Sequence, residues 1–297
     1  MKKIATLIFA VTLCLLCEPI FAEPIIKVDI AEKDKCVLNS PFELNTVADV
    51  LLGGVGLGLT TTALVLEHQN NFPDWNGVLY DASEVNAFDS LAMFPYNDTI
   101  HNIATATTAL SLGVIPVAVF ASEALCGNLP TNELVNISVM YLESFFLSYG
   151  IKDLLKCGVL RTRPYMYFEG YPEDKISDHD FEMSFPSGHT TNAFVGASFL
   201  SYVFCEYYPN SSWKIPVVAT SYAIAAATGV MRVLSGNHFM TDVLGGAVLG
   251  TVCGIGVPLI HQLIAKNNST TSKENDAVEN KFYSSISPLG INFCIKF

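Results

Sequence analysis

Three short stretches of the chain carry residues suited to attack on an anionic ester. In Met231-Arg232-Val233-Leu234-Ser235-Gly236-Asn237-His238-Phe239-Met240-Thr241-Asp242 an Arg, a His and an Asp are set at intervals of six and four residues. If a helix starts after the Ser235-Gly236-Asn237 turn, residues four apart share a face, and the Asp242 carboxylate is expected to hold the His238 imidazole. That pattern is an oriented nucleophile. Read alone, a His beside a turn more often caps a helix or meets solvent.

Two upstream clusters change the balance. In Lys156-Cys157-Gly158-Val159-Leu160-Arg161-Thr162-Arg163-Pro164 the first Lys and the last Arg are seven residues apart, so two helical turns bring Lys156 and Arg163 over one point. Pro164 is expected to end that helix near Arg163, because proline disfavours helical geometry in the residue before it. The other cluster, Pro186-Ser187-Gly188-His189, precedes an apolar run over 190–205. A Ser187 hydroxyl, the Gly188 amide and the first free N–H groups of a helix form an anion cradle, with His189 at its rim.

Together, Lys-x6-Arg-Pro, Pro-Ser-Gly-His and Arg-x5-His-x3-Asp resemble the signature motifs of the type 2 phosphatidic acid phosphatase superfamily. That group includes integral-membrane lipid phosphatases, secreted bacterial acid phosphatases and vanadium haloperoxidases. The resemblance covers roughly 134–265. It implies catalysis without a metal or cofactor: His238 attacks phosphorus, Asp242 fixes its tautomer, and His189 serves the leaving group and then water. Lys156, Arg163, Ser187, Gly188 and Arg232 would bind the phosphate. Arg161 reads as a surface cation outside this clamp. One departure is Met231, where the family usually has Ser, which removes a hydroxyl from the phosphate side.

The elements that must position these residues are apolar. Of 297 residues, 51% are hydrophobic and 15% charged, and the net charge of −12 argues against a nucleic-acid partner. Six apolar stretches, at 47–66, 103–124, 134–151, 190–205, 215–231 and 243–264, predict an all-α, polytopic membrane bundle of about six helices. Buried helices of a soluble phosphatase are the alternative. Glu143, inside the third stretch, is expected to face the bundle interior or water, since facing lipid is costly. The run Gly53-Gly54-Val55-Gly56-Leu57-Gly58 lacks the context of a nucleotide loop and predicts close helix packing.

The domain reading that follows has four parts. Residues 1–22, with Lys2-Lys3 and a short apolar core, read as a cleavable secretory leader. Residues 23–43 read as a surface segment, 44–265 as the membrane-embedded phosphatase domain, and 266–297 as a polar tail ending in a strand-like alternation over 291–297. Cysteines outside the leader fit no zinc spacing.

The connection over 67–101 has no Lys or Arg and six aromatics, so it reads as external, with its rings at headgroup level. The loop over 165–185 is a lid, a lipid gateway or a solvated surface loop. Topology does not close on these signals. With the leader removed, three full crossings before Lys156 would put the site in the cytoplasm, against the charge pattern. Either the leader is retained without spanning, or an early stretch dips into the bundle. The resemblance implies a bacterial inner membrane with the site facing the periplasm.

The expected substrate is a lipid phosphate held at the membrane: phosphatidic acid, phosphatidylglycerol phosphate, a prenyl diphosphate or lipid A. A secreted soluble acid phosphatase, a vanadium haloperoxidase and a non-catalytic membrane binding protein of the same fold remain open.

Overall fold

The computed structural model describes residues 40–69, 75–177, 179–283, 286–287 and 290–291. The leader expected over 1–22 and most of the surface segment expected over 23–43 lie outside the described residues.

Each apolar stretch becomes a helix or a pair of helices. These are α1 (Thr46–Gln69), α2 (Asp98–Ala109) continuing through a π-helical turn at Leu110–Val114 into α3 (Ile115–Leu125), α4 (Thr131–Val159), the short α5 (Glu173–Ser177), α6 (Gly188–Tyr207), α7 (Lys214–Leu234) and α8 (Met240–Tyr283). The expected all-α bundle is therefore the fold, apart from a two-residue ladder pairing Ile286 with Ile291 and Ser287 with Gly290. The strand expected over 291–297 falls outside the described residues except for Ile291.

Local chemistry sets several boundaries. Asn97 caps α2 by accepting from the Ile100 amide at 3.0 Å, and Ser187 caps α6 by accepting from the Thr190 amide. Between Leu259 and Tyr283 the chain has neither Gly nor Pro, and α8 runs on through residues expected to form the polar tail. Propensity prevails there over polarity.

By length and composition, five helical segments could cross a membrane: Thr46–Gln69, Asp98–Leu125, Thr131–Tyr167, Lys214–Leu234 and Met240–Thr271. Their outward faces carry large apolar side chains, among them Leu57 and Leu64 on α1, Val117 on α3, Ile215 on α7 and Val248 on α8. Water would penalise such a surface, whereas lipid accepts it. At the centre stands α6, with Val195, Phe199, Leu200 and Val203 buried.

Glycines set how closely the helices approach. A side chain on Gly250 or Gly254 of α8 would run into the backbone of Thr191 or Val195 on α6, and one on Gly246 would meet the Ser187 carbonyl at 2.7 Å. Spaced four apart, they form a flat stripe that lets backbones touch. In the Gly-rich run only Gly56 plays this part, where an added Cβ would meet the Leu147 amide of α4 at 2.8 Å. Gly53, Gly54 and Gly58 face open space. The packing expectation thus holds for one glycine of four.

Because the helices alternate in direction, the last turns of α1, α4 and α7 and the first turns of α2, α6 and α8 meet at one end of the bundle. Glu67, Lys156, Arg232, His101, Gly188 and His238 all reach that end, where they line one cavity.

Candidate active site

The cavity has a volume of about 420 Å³, and its walls bring together Lys156, Arg163, Arg232, Gly188, His189 and His238. Residues from three separate stretches of sequence thus share one chamber. Asp242 and Ser187 stand just behind its wall.

His238 is almost fully buried, at 1% exposure. Its Nδ1 lies 2.8 Å from the Ser184 carbonyl oxygen, which can only accept, so Nδ1 carries the proton. Nε2 then carries the lone pair, which accepts from Arg163 Nη1 at 3.1 Å. Burial, followed by the charges of Arg163, Arg232 and Lys156, holds the imidazole pKa well below its usual 6.5. The ring is neutral and nucleophilic at Nε2.

The sequence reading assigned the orientation of this ring to Asp242, and here the geometry differs. Asp242 Oδ2 stands 3.7 Å from Nδ1, beyond hydrogen-bond reach. It accepts instead from Ser184 Oγ at 2.6 Å and from the Phe239 amide at 2.8 Å. The reason is that α8 begins only at Met240. His238 sits before the helix rather than one turn along its face, so Asp242 acts on it through Ser184.

Arg161 also departs from its reading as a surface cation. Its guanidinium bonds Asp242 Oδ1 at 2.5 Å and Asp89 Oδ2 at 2.6 Å, with both carboxylates at 0% side-chain exposure. It also lies over the Phe239 ring, 4.3 Å from the centroid. Asp89 in turn accepts from the Thr241 amide at 2.9 Å and the Thr241 hydroxyl at 2.6 Å. One buried network therefore fixes the start of α8.

Arg163 spreads its donors over Asp180, through the backbone oxygen at 2.7 Å and Oδ1 at 2.6 Å, and over the Asn237 carbonyl at 3.1 Å. Burial raises the Asp180 carboxyl, but Arg163, Lys156 and Lys175 outweigh it and hold the pKa well below the usual carboxylate range. An anion thus already rests against the cations. Arg232, at 2% exposure, donates through Nη1 to His101 Nδ1 at 2.7 Å. Its Nε is buried without a hydrogen-bond partner among the described residues. A Cβ on Gly188 would lie 3.8 Å from Lys156 Nζ and 3.3 Å from Lys152 Cδ, so glycine keeps this wall thin where the lysines arrive. His189 Nε2 lies 3.1 Å from Thr105 Oγ1. Ser187 is fully buried, takes the Thr190 hydroxyl at 2.9 Å and donates its amide to the Asp242 carbonyl at 3.0 Å. It braces the α6–α8 contact. Met231 does not line this cavity.

Sequence reasoning missed the groups supplied from upstream: Asp89, His101 and Thr105, together with Asp180 and Ser184. A carboxylate in a connection lacking Lys and Arg, and a His at the mouth of an apolar stretch, were the available signals. The aromatics of that connection also serve another purpose than headgroup contact. Trp75 packs edge-on to Tyr171 at 4.6 Å, and Tyr96 to Tyr165 at 5.8 Å. Around buried Tyr165, Met166 and Phe181 they join the two loops into a roof beside the site.

Comparison with known proteins bears on the three motifs. Residues 138–266 match the model of the PAP2 superfamily and hold all three motifs, so the resemblance drawn from them is borne out. The chain is 41% identical over 73 residues to phosphatidylglycerophosphatase B of Bacillus subtilis, covering 24% of this chain and 36% of that protein. It is 33% identical over 106 residues to a probable diacylglycerol pyrophosphate phosphatase 1 of Schizosaccharomyces pombe, covering 34% of each. The chain thus spans about a third of the length of these relatives. Among solved structures, a transmembrane PAP2-type phosphatidylglycerolphosphate phosphatase from Bacillus subtilis aligns with 68% of this chain and 93% of its own, at 23% identity and a TM-score of 0.32.

Proposed function

We propose, taking the PAP2 superfamily region over 138–266 as the premise, that the protein hydrolyses a phosphate monoester or diphosphate on a membrane lipid through a phosphohistidine. The observation that carries the reading is the His238 Nε2 lone pair, facing a cavity walled by Lys156, Arg163 and Arg232. A phosphate ester repels nucleophiles until its charge is neutralised, and three cations do this without a metal.

In the first step His238 Nε2 forms a bond to phosphorus as the ester P–O bond breaks. His189 gives a proton to the departing oxygen. In the second step His189 takes a proton from water, the hydroxide oxygen bonds phosphorus, and the P–N bond breaks to release inorganic phosphate. Arg163 must exchange its contacts with Nε2 and Asp180 for phosphate oxygens. Its planar fork suits both sets of partners.

The lipid assignment is supported by the apolar outer faces of the helices around the site, which leave an acyl or prenyl tail in the bilayer. Candidates are phosphatidic acid, phosphatidylglycerol phosphate, a prenyl diphosphate and lipid A. The two relatives are named for phosphatidylglycerophosphate and diacylglycerol pyrophosphate.

A site on the outer, periplasmic face of a bacterial inner membrane is supported by the composition of one connection, apart from the cations of the site itself, which its own carboxylates hold there. The connection over 67–101, at the cavity end, has no Lys or Arg, while Lys214 and Lys266 lie towards the opposite ends of α7 and α8. With α1, α2–α3 and α4 each crossing once, an outer site puts Ser40 on the inner side. A leader cleaved on the outer face is incompatible with that arrangement.

The test is phosphate release by detergent-extracted protein from a panel of those four lipids and a soluble aryl phosphate, in EDTA, beside His238→Ala. Release from a lipid that is lost in the variant supports the reading. Preference for the soluble ester, or release that survives in the variant, contradicts it.

A further inference from the structure

A second set of buried ionisable groups lies far from the phosphate cavity. Asp49 in the first turn of α1, Glu143 in the middle of α4 and His261 on α8 bring one donor atom each to within 4.8 Å of one another. Glu67, whose side chain lines the cavity, is 18 residues along α1 from Asp49, or roughly 27 Å at 1.5 Å per residue. The two sites sit at opposite ends of one helix.

Hydrogen-bond accounting in this cluster does not close. His261 Nδ1 lies 3.1 Å from the Glu43 carbonyl oxygen, which can only accept, so Nδ1 carries the proton. Nε2 of a neutral ring is then a lone pair, and it stands 2.8 Å from Glu143 Oε2, another lone pair. At that distance either a proton on Nε2 bridges the two, or a metal ion holds them after they part by a few tenths of an ångström. The other carboxylate oxygen, Glu143 Oε1, is buried without a partner among the described residues, on a residue only 4% exposed. Asp49 Oδ1 adds a second carboxylate, 3.8 Å from His261 Nδ1, and accepts from the Asn45 amide at 3.3 Å.

A lone proton between His261 and Glu143 leaves Oε1 bare and gives one positive charge against two carboxylates. A divalent ion satisfies both. One imidazole and two carboxylates suit Zn²⁺ or Mn²⁺, and an imidazole whose other nitrogen donates to a carbonyl is a common arrangement for a metal-bound His. Asp49 is partly exposed, 26% at its side chain, and gives the ion a route in.

We infer that Asp49, Glu143 and His261 form a divalent-cation site that staples α1 to α4 and α8, separate from the catalytic centre. This cation is structural, and phosphate chemistry proceeds without it. The inference stands whether or not His238 is the nucleophile.

The experiment uses full-length, untagged protein in detergent, stripped with EDTA, desalted and loaded with Zn²⁺ or Mn²⁺ alone. The wild type takes up about one equivalent by elemental mass spectrometry, and its melting temperature rises by about 5 °C at saturating ion. Glu143→Gln and Asp49→Asn lose the uptake and the rise. X-ray absorption at the zinc edge shows one imidazole with oxygen ligands and no sulfur, a readout that decides the matter even if Glu143→Gln fails to fold. No uptake by the wild type, uptake undiminished in Asp49→Asn, or a sulfur-containing shell overturns the inference and leaves a proton-bridged ion pair.

Discussion

Arg161 Nη1 and Asp242 Oδ1 lie 2.5 Å apart, and this pair ties the segment after α4 to the first turn of α8, while no carboxylate–imidazole hydrogen bond holds His238. Asp242 holds Ser184 Oγ, and the Ser184 carbonyl holds His238 Nδ1. Orientation of the ring is therefore relayed through one backbone residue.

The relay predicts that Asp242→Asn and Arg161→Ala fail in the same way. Each should lower kcat by about 10- to 100-fold with little change in KM, because ring orientation matters to the transition state more than to binding. Arg161→Ala also leaves two fully buried carboxylates uncompensated and should cost about 3–5 kcal/mol of stability. Steady-state kinetics with thermal denaturation of both variants checks this. A rise in KM alone would mean that Arg161 binds substrate directly.

Asp180 offers the opposite sign. Its carboxylate lies on Arg163 Nη2 at 2.6 Å, in competition with an incoming phosphate. Asp180→Asn should tighten inhibition by vanadate or phosphate about tenfold, equivalent to ~1.4 kcal/mol. Weaker inhibition would show that Asp180 mainly positions Arg163.

His238 contributes to the pH dependence of stability. Its folded pKa is depressed, so below about pH 6.5 the unfolded chain takes up a proton that the folded site refuses. The corresponding stability is present above that pH and is lost as pH falls towards the folded value. Asp180 is likewise depressed, but its contribution is lost only in acid below the ordinary carboxylate pKa. Between pH 7 and 5 the melting temperature should therefore fall, and fall less in His238→Gln. An identical slope in the variant would contradict this assignment.

Much of the site was legible because each motif is local. Lys156 with Arg163, Gly188 with His189, and Arg232 with His238 are neighbours in sequence, and helix ends carry them to one cavity, with Ser187 just behind it. Asp89 and His101 were hidden because their partners, Thr241 and Arg232, lie more than 130 residues away. No periodicity reports such a pairing. Asp242 was misread by assuming that the helix begins before His238, a shift of a few residues at a boundary. The six apolar stretches gave the bundle, but which face of the Gly-rich run meets α4 depends on helix rotation.

That rotation is testable. Gly250→Ala places a methyl group against the Thr191 backbone and should destabilise the bundle by about 1–3 kcal/mol, whereas Gly54→Ala meets open space and should be neutral. Melting temperatures in one detergent compare the two. Equal effects would contradict the α6–α8 packing.

The most direct measurement is acid-sensitive, base-stable labelling of the protein by a lipid substrate carrying radiolabelled phosphate, quenched during turnover and mapped by peptide. The account predicts label on His238 Nε2, formed and lost at rates compatible with kcat, and absent from His238→Gln. Label on another residue, or turnover with no labelled intermediate in rapid-quench experiments, would contradict it.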